Sequence, residues 1–156
     1  MTRVLVLGGG SGGLVAANKV KRLLGKEVEV TLVDRNTHHE FMPAYPWVAF
    51  GMREPEAIRR PLANLEKRGI RYLQATVEAL DPERNRVKTT AGELSYDYLI
   101  VSLGAEALPS PAQDGHAPGS LEGALTLREA SRPVTGAKVV PGVPCPSHPC
   151  PPAPHE

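Results

Sequence analysis

A cluster of glycines directly after a short apolar run constrains this chain more than any other feature. Residues 3–7 read Arg-Val-Leu-Val-Leu, and residues 8–13 read Gly-Gly-Gly-Ser-Gly-Gly. A continuous apolar run of this kind is typical of a strand buried on both faces of a parallel sheet. Residues 14–24 then carry apolar side chains at helical spacing. The pattern therefore predicts a strand, a glycine-rich turn and a helix in direct succession.

The glycine spacing matches the pattern Gly-x-Gly-x-x-Gly at Gly8, Gly10 and Gly13. Gly8 permits a tight turn, Gly10 lets a pyrophosphate approach the backbone, and Gly13 lets the helix lie close to the sheet. Ser11 and Gly12 open the helix, whose N-terminal N–H groups and positive dipole end favour phosphate. Glycine-rich loops are common, so the loop alone is weak evidence for a ligand.

A second apolar strand, residues 28–34, follows the helix and ends on Asp34, 21 residues after Gly13. An acid in this place accepts hydrogen bonds from the ribose hydroxyls of a dinucleotide. It also disfavours a 2′-phosphate, although the neighbouring Arg35 weakens that discrimination against NADP. The alternative that Asp34 only caps the strand end stays open. Strand, loop, helix and acid together supply the context that the motif requires, so the sequence predicts dinucleotide binding, with FAD and NAD both open.

The rest of the first hundred residues continues an α/β pattern. Residues 59–68 are predicted to be helical after Pro61, and residues 36–52 are interpreted as a loop with a short helix. Strand-like segments are predicted at residues 70–73, 75–81, 86–90 and 98–102. The expected fold is therefore α/β: a Rossmann-like FAD/NAD(P)-binding domain with a central parallel sheet and a small β-meander.

Proline usage indicates where this domain ends. Eight of the 16 prolines fall between Pro133 and Pro154. We therefore predict a domain at residues 1–110, a weakly patterned continuation at residues 111–140, and an extended Pro/Cys-rich tail at residues 141–156. The continuation includes a short strand at Lys138–Val140, which Pro141 prevents from being a central strand.

The composition narrows the class of protein. The chain has 156 residues, a formal net charge of +1 and only 4% aromatic residues. These values give no general attraction to nucleic acid and no platform for stacking bases, so no nucleic-acid partner is expected. No apolar run approaches the ~20 residues of a membrane-spanning helix. A cytoplasmic protein is therefore expected.

The last predicted strand carries a family resemblance. Residues 96–105 read Tyr-Asp-Tyr-Leu-Ile-Val-Ser-Leu-Gly-Ala. The segment resembles the two-dinucleotide-binding-domain flavoproteins, in which a hydrophobic strand ending in an Ala-Thr-Gly type turn closes over FAD. Here the turn is Ser102-Leu103-Gly104, which differs at two positions and keeps the glycine. The resemblance implies that Gly104 lies near FAD and that the adenine rests against backbone near Val77.

A closer resemblance lies in residues 39–51, which read His-Glu-Phe-Met-Pro-Ala-Tyr-Pro-Trp-Val-Ala-Phe-Gly. The segment is similar to the flavin-proximal segment of sulfide:quinone oxidoreductases and flavocytochrome c sulfide dehydrogenases. Type II NADH dehydrogenases carry a comparable Phe-x-Pro segment. The resemblance implies that Pro43, with Pro46 and Trp47, forms an apolar wall beside the isoalloxazine ring. The alternative is a proline-rich surface loop with a single buried tryptophan.

This resemblance implies FAD as cofactor and electron transfer from sulfide through the flavin to a quinone or a cytochrome. Members of the family continue well beyond the length of this chain, which resembles an N-terminal portion of such an enzyme or a truncated relative. The expected function is thus the FAD-binding domain of a flavin-dependent oxidoreductase of the sulfide-oxidising type, with peripheral membrane association as an option. The alternatives are a non-catalytic dinucleotide-binding fragment and a type II NADH:quinone dehydrogenase-like protein.

The tail contains the two cysteines of the chain, Cys145 and Cys150. Residues 150–156 resemble the redox-cysteine stretch of the sulfide-oxidising members, which implies a catalytic role for Cys150; Cys145 matches no position of that stretch. Attack on sulfur requires a thiolate, which His148 or His155 would favour. The alternative is that Cys150 is a spectator. Zinc ligation by these cysteines and histidines is not expected, because their spacing fits no standard zinc motif.

Overall fold

A computed structural model describes residues 1–105 and 119–136, which fall into two compact units. The first unit comprises residues 1–41 and 58–105, and the second comprises residues 42–57 with the described residues 119–136. The predicted strand at Lys138–Val140 and the predicted tail at residues 141–156 lie outside the described residues.

The secondary structure alternates strands and helices at the start of the chain and is richer in strands later. The α-helices are α1 (Ser11–Leu24), α2 (Tyr45–Ala49) and α3 (Leu121–Ser131). The strands are β1 (Thr2–Leu7), β2 (Val28–Asp34), β3 (His38–Glu40), β4 (Arg59–Pro61), β5 (Ile70–Gln74), β6 (Val77–Asp81), β7 (Arg86–Thr89), β8 (Gly92–Ser95) and β9 (Tyr98–Val101). Short 3₁₀ segments lie at Gly25–Glu27, Met42–Ala44, Pro55–Ile58 and Leu62–Arg68.

The first unit is built on a four-stranded parallel sheet in the order β5-β2-β1-β9. Successive side chains of β1 point to opposite faces, and both faces are buried. Val4 and Val6 pack with Ala17 of α1 on one face. Leu5 and Leu7 pack on the other face in a second cluster of buried residues. The predicted α/β fold with a central parallel sheet is confirmed, and the apolar run at residues 3–7 is explained by this two-sided burial.

Among the described strands, β9 lies at one edge of this sheet. It pairs with β1, which lies at the other end of the unit in the sequence. Val6 pairs with Ile100 in parallel register. Beside this pairing, the backbone N–H of Arg3 donates to Asp97 Oδ2 at 2.7 Å, and Arg3 Nη2 donates to Asp97 Oδ1 at 3.0 Å. These hydrogen bonds with Arg3 lower the pKa of the Asp97 carboxyl. Sixty-six per cent of Tyr98 is exposed at this edge.

The strands β6, β7 and β8 form a three-stranded antiparallel sheet in that order, which is the expected β-meander. Strand β8 was not expected from the sequence, because Gly92–Ser95 contains only one apolar residue, Leu94. A tight connection between β7 and β8 allows this strand to form, and in it Gly92 pairs with Thr89. The φ of Gly92 is +113°, a value that favours glycine. Val87 of β7 is fully buried in the second core cluster with Leu5 and Leu7 of β1, which holds this sheet against the parallel sheet.

The helix predicted at residues 59–68 is wrong. Arg59–Pro61 is a strand that pairs antiparallel with β3, and Leu62–Arg68 is 3₁₀ helix. A 3₁₀ helix aligns residues three apart, and Leu62 and Leu65 are both buried in the core cluster beneath α1. Gly69 then ends the segment in the left-handed conformation, and its N–H donates to Glu66 O.

The second unit contains α2 and α3, which pack against each other. Val48 of α2 and Ala124 of α3 are fully buried. Arg128 of α3 makes a two-armed ion pair with Glu54, with Nη1 to Oε2 at 3.0 Å and Nη2 to Oε1 at 2.8 Å. Helix α3 was not expected from the sequence, since it buries little apolar surface.

Candidate dinucleotide site

The turn between β1 and α1 is shaped by backbone that passes too close for side chains. Gly8 has a φ of +102°, and its N–H donates to Val33 O at 2.8 Å. A Cβ on Gly8 would lie 2.1 Å from the carbonyl oxygen of Ser102, which follows β9. The turn is therefore held between the ends of β2 and β9, where ligands bind in parallel sheets of this kind.

The first turn of α1 is as tightly placed as Gly8. A Cβ on Gly13 would lie 1.8 Å from Gly8 O, and one on Gly12 would lie 2.6 Å from Ser102 Oγ. Gly13 is thus required for the helix to start directly beside the turn, because the atom it would meet is backbone, whereas the Ser102 hydroxyl near Gly12 can rotate away. Ser102 contacts two loop glycines and was not among the predicted site residues, because its approach depends on pairing of strands that are distant in sequence.

Gly10 is different from its neighbours, because a Cβ there would have no heavy atom within 4 Å. Gly10 is the N-cap of α1, no side chain caps it, and the first turn carries no acidic residue. The first N–H groups of a helix, here those of Ser11, Gly12 and Gly13, have no partners within the helix. The loop therefore presents open space, unpaired donors and the positive end of the helix dipole, which together suit a pyrophosphate.

Asp34 stands beside this opening at the end of β2. Its Oδ2 accepts a hydrogen bond from Gly9 N at 2.5 Å, and its Oδ1 accepts one from Asn36 N at 2.7 Å. Each carboxylate oxygen has two lone pairs, so acceptors remain for ribose hydroxyls. Burial raises the pKa of the Tyr72 hydroxyl, and the negative charge of Asp34 raises it further. The same hydroxyl donates a hydrogen bond to Asn36 O at 2.7 Å. The neighbouring Arg35 is exposed.

His39 also contacts the loop and was not among the predicted site residues. Its Nδ1 lies 3.1 Å from Gly9 O, and a carbonyl can only accept, so Nδ1 carries the proton. His39 is half-buried in β3, opposite Arg60 of β4. The contact of His39 with the loop could not be predicted, because the pairing of β3 with β4 is not evident from the sequence of either segment alone.

Two further predicted residues lie in the first unit. Val77 is the first residue of β6 and packs against the second core cluster. Gly104 follows β9 with a φ of +77°, and a Cβ there would meet no heavy atom within 4 Å. Ser102 N donates to Leu7 O at 2.8 Å, which brings the start of the Ser102–Gly104 turn next to the end of β1.

Pro43 lies in the second unit, in the 3₁₀ segment before α2. Beside it, Trp47 is 43% exposed rather than buried, and Arg53 stacks over its ring at 4.5 Å from the centroid. Phe50 is also exposed. The segment therefore presents aromatic and apolar side chains at its surface. The predicted catalytic residue Cys150 lies outside the described residues.

Comparison with known proteins agrees with this geometry. The family model for pyridine nucleotide-disulphide oxidoreductases matches residues 2–144. The chain therefore belongs to the pyridine nucleotide-disulphide oxidoreductase family, whose members are FAD-binding flavoproteins. This confirms the family, and with it the cofactor, that the sequence resemblance implied.

Particular relatives are sulfide- and NADH-linked quinone oxidoreductases. The sulfide-quinone reductase of Aquifex aeolicus is 37% identical over 103 residues, covering 65% of this chain and 24% of that protein. A type II NADH:quinone oxidoreductase of Staphylococcus aureus is 31% identical over 134 residues, covering 83% of this chain and 33% of that protein. The solved sulfide:quinone oxidoreductase from Aquifex aeolicus superposes with a TM-score of 0.77 at 30% identity, covering 83% of this chain and 31% of that one. This chain thus spans about a quarter to a third of the length of these relatives.

One further observation concerns membranes. In residues 1–105 and 119–136, no helix has the length and apolar character needed to cross a membrane.

Proposed function

We propose that this chain binds FAD at the β1–α1 turn and forms the FAD-binding part of a flavin-dependent oxidoreductase that oxidises sulfide. The observation that carries the proposal is the open, uncapped N-terminus of α1 at Gly10, with Asp34 beside it. The backbone donors and the carboxylate are the two groups that a dinucleotide requires, one for its pyrophosphate and one for its ribose. Bound FAD would supply an acceptor for the two electrons released from the substrate.

Each predicted site residue has a role in this proposal. Gly10, Ser11 and Gly12 would hold the pyrophosphate, and Gly8 and Gly13 shape the turn next to them. Asp34 accepts from the ribose, and Arg35 lies beside it. The remaining contacts rest on the family resemblance: Val77 near the adenine, Gly104 in the turn that closes over FAD, and Pro43 beside the isoalloxazine ring.

A matched pair of glycine substitutions tests FAD binding. Gly10 and Gly119 both have open space where a Cβ would stand, and neither has a positive φ. Gly10→Ala should therefore fold normally and lower FAD affinity at least about tenfold, because its methyl group occupies pyrophosphate space. Gly119→Ala should bind FAD as the unchanged chain does. The measurement is FAD titration followed by the flavin absorption bands, and equal affinities in the two variants would contradict the proposed site.

Sulfide is the proposed electron donor because relatives named for sulfide oxidation are 36–37% identical to this chain over about two thirds of its length. Adding sulfide without oxygen to the FAD-loaded chain should bleach the flavin absorption. If FAD binds but no donor bleaches it, the chain is a non-catalytic dinucleotide-binding fragment, and the redox part of the proposal is wrong.

A type II NADH dehydrogenase is the second candidate. One observation favours it: relatives of that name match 134 residues of this chain, against 103 for the Aquifex protein. The same anaerobic experiment separates the two donors, because NADH rather than sulfide should then bleach the flavin.

Cys150 is proposed as the redox cysteine, on the family resemblance alone. Oxidation of sulfide at this residue would replace one S–H bond of the thiol and one of hydrogen sulfide by a sulfur–sulfur bond, with two protons released to water and two electrons passed to bound FAD. Cys150→Ser should then abolish bleaching by sulfide and leave FAD binding intact, whereas Cys145→Ser should leave both intact. Unchanged bleaching in Cys150→Ser would remove this residue from the mechanism.

The electron acceptor proposed for the complete protein is a quinone or a cytochrome. A cytoplasmic protein that reduces a quinone dissolved in lipid must bind the membrane surface to reach it. This is the peripheral membrane association that we propose. Re-oxidation of the reduced flavin by a water-soluble quinone and by a cytochrome c, measured side by side, tests which acceptor is used.

A further inference from the structure

A second concave surface lies in the first unit, along the flank of α1 and away from the helix N-terminus. It encloses about 510 Å³, which falls within the usual size of small-ligand sites, about 300–1,000 Å³. Four basic side chains line it: Lys19, Lys21, Arg22 and Arg68. The other lining residues are Asn18, Val15 and Ile70, so no carboxylate faces the groove.

Two of the four cations are held in place by the protein. Arg68 Nη1 donates to Asn18 Oδ1 at 2.8 Å, and Asn18 Nδ2 in turn donates to Leu14 O at 2.8 Å. Lys21 Nζ donates to Val28 O at 3.0 Å. An arginine has five N–H donors and a lysine three, so both cations keep donors for a ligand.

Gly69 contributes to this arrangement. A Cβ on Gly69 would lie 3.1 Å from Lys21 Cε, so the lysine stem crosses the glycine closely. The positive φ of +72° at Gly69 ends the 3₁₀ segment there. Lys21 lies on α1 and Arg68 lies on the 3₁₀ segment just before Gly69. The two cations reach the same groove because these segments pack closely at Gly69.

The charge of the groove is unbalanced. Among the residues that the structure describes, none of the four cations takes part in an ion pair. Four of the 18 lysine and arginine residues of the chain thus line one concave surface that has no carboxylate in its lining. This local excess of positive charge favours an anion there.

The groove also has an apolar part. Val15 is 66% exposed at its rim, and Ile70, almost completely buried, lies at its base. Because most of the Val15 side chain is exposed, it contributes little to the packing of the first unit. A ligand that carries an anionic group together with an apolar or planar part would cover it.

We propose that this groove binds a small molecule through a phosphate group. Arginine offers a planar fork that matches phosphate oxygens, and lysine offers a point charge. Two sources supply this chemistry: a soluble phosphorylated compound and the headgroup of an anionic phospholipid. The groove is separate from the proposed FAD site, since that site uses the first turn of α1 and the groove uses residues from Val15 onward.

The test follows backbone amide signals of the isotope-labelled full chain by NMR. Inorganic pyrophosphate represents the soluble source, and vesicles of phosphatidylglycerol in phosphatidylcholine represent the lipid source. The groove proposal predicts shifts or broadening at residues 18–22 and 68–70 with at least one of these probes, and none with phosphatidylcholine alone. Pyrophosphate also reaches the glycine loop, but its effects there appear at residues 8–13 and are told apart by position.

Paired charge reversals make the test specific. The double variant Lys19→Glu, Arg22→Glu should lower affinity for the active probe at least about tenfold, because two cations become anions. Lys21 and Arg68 stay unchanged because they make hydrogen bonds within the fold. The control Arg84→Glu, Lys88→Glu has the same change in net charge, in the β6–β7 turn and on β7, and should retain binding.

Three results would overturn the proposal. The first is no response at the groove to either probe. The second is a response confined to residues 8–13. The third is an equal loss of binding in the groove variant and in the control, which would show a general charge effect.

Discussion

The two longest helices in the described part of the chain, α1 and α3, begin in different ways. Helix α3 has Ser120 as its N-cap, whose Oγ accepts from Gly123 N at 3.0 Å, and Glu122 lies in its first turn. Helix α1 has Gly10 as its N-cap, with no capping side chain and no acid in the first turn. The protein thus satisfies the N-terminus of α3 with its own side chains and leaves that of α1 uncapped, where we propose that the pyrophosphate of FAD binds. A helix end that lacks the usual cap is therefore informative about function.

The largest effect is expected where the start of α1 meets the turn. Gly13→Ala would place a methyl carbon 1.8 Å from Gly8 O, which is backbone and cannot move aside. We expect a loss of about 3 kcal/mol or more in the free energy of unfolding, despite the better helix propensity of alanine. Urea denaturation followed by circular dichroism measures it. A stability equal to that of the unchanged chain would mean that α1 is not held so closely.

The comparison of the two helices predicts that an N-cap side chain introduced at the start of α1 weakens FAD binding there. Gly10→Asp should stabilise the free chain by about 0.5 kcal/mol, because Asp is a favoured N-cap. The same carboxylate should repel pyrophosphate and lower FAD affinity at least about a hundredfold. Gly119→Asp, which adds the same charge before α3, should leave FAD binding unchanged. FAD titration and urea denaturation of both variants measure these opposite effects.

The converse change removes the cap of α3. Ser120→Ala should lower the free energy of unfolding by about 1 kcal/mol, because the N–H of Gly123 loses its acceptor. Ser120→Asp should keep most of that stability, since Asp also caps. Thermal unfolding followed by circular dichroism compares the three chains. If alanine and aspartate behaved alike, the hydroxyl would not be acting as a cap.

A smaller, pH-dependent effect is expected in the second unit. The hydrogen bonds from Arg128 lower the pKa of Glu54 from its ordinary value of 4.5. A lowered pKa in the folded state means that the ion pair stabilises the fold fully above pH 4.5 and less as the pH falls through the lowered value. Trp47 is the only tryptophan and lies in this unit, so its fluorescence reports the change.

Glu54→Gln is the matching variant, because it keeps the shape of the side chain and cannot titrate. Its urea midpoint, read from Trp47 fluorescence, should change less between pH 7 and pH 3 than that of the unchanged chain. Identical pH dependence in both chains would mean that the ion pair does not contribute to stability.

The sequence was sufficient for the parts of the site that are local. Gly8, Gly10 and Gly13 lie close together in the sequence, and Asp34 ends the next strand, so spacing alone predicted that they lie beside one another. Ser102 could not be predicted in the same way, because its contact with Gly8 depends on the parallel pairing of β1 with β9.

Elements held by polar contacts were also missed. Helix α3 has one fully buried residue, Ala124, so it has no strong apolar period to detect. Its contacts include the ion pair between Arg128 and Glu54, whose 74 positions of separation hide it from any local pattern. The 3₁₀ segment at Leu62–Arg68 was mistaken for α-helix because two buried leucines three apart fit either kind of helix.

The pairing of β1 with β9 has a consequence for the order of folding. Arg3 and Asp97 are 94 positions apart in the sequence, and contacts of such separation form late because a long loop must close first. The glycine loop is made early during synthesis, whereas Ser102, whose carbonyl oxygen lies against Gly8 in the folded chain, is made much later. We expect cofactor capture to follow the slowest refolding phase, and quenching of FAD fluorescence before that phase would contradict this. The most recognisable segment of the chain would then be among the last to become functional.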